Sequence, residues 1–155
     1  MPFPSTLMAI RETGRDFKGR TPIVSDTDAQ AFVTAAGLTS STQASAINTL
    51  VTSLKSAGIW TKMKAIYPMV GGSAASHKFN LKDPKDLDGS YRISFVNGWV
   101  HSSSGALSGT GNAYGNLNVN ANQIFTSTNG LLGLYTPSTT TTSSQNPNID
   151  LMLSI

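Results

Sequence analysis

The chain has 155 residues, no cysteine, a net charge of +3 and only 12% charged residues. That size suits one domain with an arm, and the composition excludes disulfides and thiolate metal sites and leaves solubility to Ser, Thr, Asn and Gly. The charge is too diffuse to imply nucleic acid, and no apolar run nears the ~20 residues that cross a bilayer.

Residues 1–25 read as an extended arm with prolines at both ends and little periodicity. Its apolar run is short and broken, and charges follow where a cleavage site should lie, so it does not read as a secretion signal. It is the natural anchoring segment. Phe3, Leu7, Met8 and Ile10 offer apolar burial, while Arg11, Arg15, Lys18 and Arg20 offer charge pairing on a partner that orders them.

Residues 26–58 predict a helical hairpin. In DTDAQAFVTAAG the aspartates favour a helix N-terminus, and Gly37 is a stop. In the next helix Ser40 and Gln43 have capping-box spacing, and Lys55 and Gly58 mark the end. Ile47, Leu50, Val51 and Leu54 fall at i, i+3, i+4 and i+7, which predicts one core-facing stripe.

Residues 59–155 predict a β-rich, sandwich-like region. IWTKMKAIYPMV, HKFNL, YRISFVN and WVHSS are dense in strand formers, with DPKDLDG and Asn97-Gly98 as turns. NAYGNLNVNANQIF, LLGLY and IDLMLSI continue the theme, and the Thr/Ser-rich stretch 136–147 reads as a polar loop. After Arg92 the one charged residue is Asp150. Such a neutral, hydroxyl-rich surface suits packed strands or carbohydrate contact better than catalysis.

The chemistry is sparse. Glycoside hydrolysis needs two facing carboxylates, but Glu12, the only glutamate, lies in the arm, and Asp83, Asp86 and Asp88 crowd one turn. Lys82 and Lys85 between those aspartates, with no glycine-centred loop, argue for Asx turns rather than a calcium site. His77 and His101 have no spacing that requires them to meet, and GALSGTGNAYG lacks the lysine of a phosphate loop. No catalytic residue, metal or cofactor is therefore expected. Trp60 and, as the preferred ligand contacts, Tyr91, Trp99 and Tyr114 are the side chains suited to stacking on a sugar ring.

The stretch from Asp26 to about Leu117 resembles a recurring module of bacteriophage virion structural proteins. The pieces that carry the resemblance are SAINTLV, SLK, GIW, KMKAIYP, VGG, HK, NLKDP and DLD, followed by GW and HSS. The resemblance implies a fibre, spike or minor capsid protein whose β part is a jelly-roll sandwich of the concanavalin A/laminin-G type. It supplies no catalytic residue. Members of that family continue past NIDLMLSI, so further strands are missing from the sequence, or this version is shortened, or partner chains close the sheet. An unclosed sheet edge invites pairing, and the last alternative predicts a tight oligomer, a trimer if the protein forms a fibre.

The expected fold is thus mainly β with an N-terminal helical pair (α+β): a partial or oligomer-completed jelly-roll-like sandwich preceded by the arm. The helices would pack under the sheet. The expected role is non-enzymatic, in the virion, assembled in the host cytoplasm, with capsid or tail subunits as partners and neither membrane nor nucleic acid contacted directly. A carbohydrate-binding receptor module for a host surface glycan is the first alternative, and a glycan-degrading spike is the second.

Overall fold

Residues 21–109, 112–120 and 130–133 are described by a computed structural model of the chain. The anchoring residues Phe3, Leu7, Arg11, Arg15 and Arg20, the loop 136–147 and Asp150 lie outside them.

Helix α1 spans Thr27–Ala35 and α2 spans Ser41–Ser56. Asp26 caps α1, its carboxylate accepting from the N–H groups of Asp28 and Ala29 at 2.9 and 3.2 Å. Ser40 caps α2 by accepting from Gln43 N–H. Gly37 and Gly58, both at positive φ, follow the two helices as the sequence predicts. Lys55, in the last turn of α2, reaches back to Asp26 and Asp28, each at 2.7 Å. That fork ties the end of α2 to the start of α1, and the Lys55 ammonium holds the Asp26 carboxyl below the usual carboxylate range.

The buried line of α2 runs through Ala44, Ile47 and Val51, with Leu54 partly buried against the same core. Leu50 does not join it and is 36% exposed. The predicted stripe is therefore shifted toward Ala44, whose small side chain is fully buried.

Beneath the helices the chain does not form the strands expected of IWTKMKAIYPMV and HKFNL. It makes a 3-10 turn at Trp60–Lys62, an unpaired stretch to Val70, and a short helix α3 at Ala74–His77. Ile66 N–H donates to the side chain of Asn80 at 3.0 Å, while Leu81 N–H donates to Ile66 O at 2.8 Å. These two stretches lie side by side, but a side chain replaces part of the ladder, and Pro68, Gly71 and Gly72 break extension. Gly71 has φ +94°, and a Cβ there would sit 2.6 Å from the Ser76 side chain and 2.8 Å from Leu38 Cδ2. Only glycine fits that turn.

This irregular segment forms the floor of the core. Phe32, Val33 and Leu38 from the first helix and its exit meet Trp60, Phe79 and Leu81, all buried. The helical pair thus packs on loops and turns rather than under a sheet, and no strand residue belongs to that cluster.

Four short strands follow: β1 Ser94–Val96, β2 Trp99–Ser102, β3 Gly105–Ser108 and β4 Tyr114–Asn116. β2 and β3 form an antiparallel hairpin, whereas β1 pairs with β4, so the hairpin is inserted between two paired strands. Asn97-Gly98 is a turn, as the sequence suggests, but it does not pair β1 with β2. Asn97 is left-handed at φ 64°, but Gly98 does not share positive φ, as a type I′ turn requires. The dipeptide instead redirects the chain from one sheet to the other.

The described residues are therefore a mixed α/β arrangement of helices and small antiparallel sheets, with less β structure than the sequence suggests.

Candidate functional site

Asp83, Asp86 and Asp88 are engaged by cations rather than by their own turn. Asp86 is bound by Lys78 at 2.5 Å and by Arg92 at 2.7 Å, and Arg92 also reaches Asp88 at 2.9 Å. Asp83 pairs with Lys85 at 2.8 Å and accepts from the Ser90 hydroxyl. The Lys78 contact, then that of Arg92, holds the Asp86 carboxyl below its ordinary range, and Lys85 with Ser90 does the same for Asp83. All three are already paired, and Asp83 and Asp86 are held ionised at neutral pH. Among the described residues no group of three or more His, Cys, Asp or Glu side chains could hold a metal ion.

Trp60 is also committed to structure. It is 8% exposed, with Lys82 Nζ 3.7 Å from its ring centroid and bonded to its carbonyl oxygen at 2.9 Å. Burial lowers the Lys82 ammonium pKa. No face of Trp60 is left for a sugar.

Phe95, Trp99 and Tyr114 lie on the strands. Phe95 on β1 meets Trp99 edge-on at 5.4 Å between centroids and His101 at 4.7 Å. Trp99 donates its indole N–H to Tyr114 O at 3.1 Å, which links β2 to β4 across the two sheets. Tyr114 itself is 56% exposed. The strand alternation explains the grouping. Trp99 and His101 lie on the inner face of β2, while Val100 faces out beside its cross-strand partner Leu107.

Of the predicted ligand contacts, Trp99 and Tyr114 are linked through the Tyr114 backbone carbonyl rather than its phenol. Tyr114 pairs with Val96 and Gly115 with Phe95, so the phenol lies on the opposite face of the sheet from the Phe95–Trp99–His101 group. Tyr91 joins neither. It sits at φ 57° after a 3-10 turn at Asp88–Ser90, and its carbonyl accepts from the Tyr67 hydroxyl. Burial pushes the Tyr67 pKa up to about 12, so that hydroxyl remains a donor. Among the described residues no ring contact joins Tyr91 to the Trp99 group.

Sequence spacing missed the histidines. His77, at the end of α3 and 1% exposed, meets His101 on β2 with their Nδ1 atoms 3.0 Å apart and their ring centroids at 5.0 Å. Gly72 N–H donates to the other nitrogen of His77, Nε2, at 3.2 Å. No carboxylate orients either ring among the described residues, so the pair lacks the third member of a nucleophile–base–orienter set. What the sheets offer chemically is a ring cluster of Phe95, Trp99 and His101 backed by a histidine contact, with the exposed Tyr114 phenol on the other face of β4.

Comparisons with protein-family models, with curated proteins and with solved structures found no match to this chain.

Proposed function

We propose that the chain is a non-enzymatic structural component of a phage virion, attached to capsid or tail through residues 1–25 and displaying its neutral β part outwards. The reading rests on the resemblance over Asp26 to Leu117. One structural observation favours it over catalysis: Asp83, Asp86 and Asp88 are consumed in ion pairs that hold their own turn. A glycan-degrading spike would need two carboxylates free to face a bond. In this reading the two small sheets belong to a partial or oligomer-completed jelly-roll-like sandwich, in a trimer if the assembly is a fibre. Assembly takes place in the host cytoplasm, and the virion is the destination.

Within this reading, a carbohydrate-binding receptor module is the second possibility. The exposed Tyr114 side chain is the observation in its favour. A glycan array probed with the assembled oligomer separates a purely structural role from a receptor-binding one.

The anchoring role of the arm has a direct test. Deleting residues 1–21 abolishes incorporation into particles, read by quantitative mass spectrometry of purified virions, while the separately purified protein stays folded. Incorporation at the wild-type level would contradict the assignment of Phe3, Leu7, Arg11, Arg15 and Arg20 as the anchor.

A further inference from the structure

Two contacts hold the β2–β3 hairpin against the loop that begins α3. Gly72 lies close under the hairpin turn, where an added Cβ would stand 3.3 Å from the backbone nitrogen of Ser103. Beside it His77 and His101 meet through their Nδ1 atoms at 3.0 Å.

The donor and acceptor in that histidine contact follow from the far side of His77. Gly72 N–H donates to His77 Nε2, so Nε2 carries no hydrogen. A neutral imidazole has one N–H, and in His77 it must be on Nδ1. His77 Nδ1–H therefore donates to His101 Nδ1, and neutral His101 carries its own hydrogen on Nε2.

This arrangement has no place for another proton. On His77 Nε2 a proton would oppose the Gly72 N–H, and on His101 Nδ1 it would oppose the His77 N–H. A metal ion between the two Nδ1 atoms meets the same obstacle, because His77 would have to move its hydrogen to Nε2. We propose that His77 and His101 form an acid-released latch, which fastens the β2–β3 hairpin to α3 at neutral pH and frees it when the pair takes up a proton.

The surroundings fit that role. His77 is buried and His101 half-buried, so an arriving proton reaches His101 first. Packed on His101 are the rings of Phe95 and Trp99, neither of which titrates. On the α3 side Ser73 and Ser76 bond to one another, and the next charged residue, Lys78, is turned to Asp86. His101 is the one charge partner that acts on His77. Burial first, then the neighbouring His101, holds the His77 pKa below its ordinary 6.5. The latched form thus binds fewer protons than the released form. Its stabilisation is complete above the ordinary histidine value and is lost as pH falls below it toward the lowered value of His77. The latch holds whatever the hairpin contacts.

Amide hydrogen exchange on the full chain, corrected for intrinsic chemistry, tests this at about pH 7.5 and about pH 5. Protection of hairpin amides from Trp99 to Leu107 falls at least about tenfold in acid, while amides of α1 and α2 keep theirs. His101→Asn supplies an amide oxygen as acceptor near the Nδ1 position and does not titrate, so the acid response shrinks to under about threefold. Equal hairpin protection at both pH values in the wild-type protein would overturn the proposal, and so would an undiminished response in the variant. Should His101→Asn fail to fold, the wild-type comparison decides alone.

Discussion

Asn80→Ala lowers the unfolding free energy by about 3–5 kcal/mol, at the upper end of what single substitutions cost. Asn80 is 1% exposed and uses both ends of its amide. Its oxygen accepts from Ile66 N–H and Lys82 N–H, each at 3.0 Å. Its nitrogen donates to Ser90 O at 3.2 Å and to Lys64 O at 3.4 Å. Four backbone groups from four places in the chain thus converge on one side chain, where a sheet would have used a ladder. Truncation leaves them without partners, and each such buried group costs roughly 1–3 kcal/mol, less whatever water can reach. Urea unfolding monitored by circular dichroism reads the change as a shift in midpoint at constant slope. A loss under about 1 kcal/mol would mean that the segment 64–90 is organised by something other than Asn80.

The second large effect separates two large apolar positions on the helices. Phe32→Ala costs about 3–5 kcal/mol, because its ring is 1% exposed and sits between α1 and the floor of the core. Leu50→Ala costs under about 1 kcal/mol, since its side chain is 36% exposed and outside the core cluster. The same denaturation experiment checks both. Equal losses at the two positions would restore Leu50 to the buried stripe and contradict the packing described for α2.

The contrast between Asn80 and Phe32 marks how far the sequence could be read. The helices were legible because their signals are local: Asp26 and Ser40 as caps, Gly37 and Gly58 as stops, Ile47 and Val51 at helical spacing. The segment after Gly58 was not. Its β-branched and aromatic residues carry strand propensity, but propensity gives no partner, and the partner of Ile66 is a side chain 14 residues away. Asn97-Gly98 carries a strong hairpin signal, yet β1 found β4 across an intervening hairpin, a non-local choice that two residues cannot encode.

For the candidate site, the bond from the Trp99 indole to the Tyr114 carbonyl depends on that same non-local strand order. Tyr91 was drawn away by a left-handed backbone and by Tyr67. The histidine contact had no signature at all, since 24 residues and a change of sheet lie between His77 and His101. Of the two lysines beside the aspartates, Lys82 turns to Trp60 instead. Lys85 does bind Asp83, with Lys78 and Arg92 taking Asp86.

The central proposal, a structural part of a virion held by its N-terminal arm, is tested most directly by cryo-electron microscopy of purified phage particles assembled in the presence of the chain. The account predicts density for residues 26–120 on the outer surface of capsid or tail, with residues 1–25 enclosed by neighbouring subunits. Intact particles without this chain would contradict it.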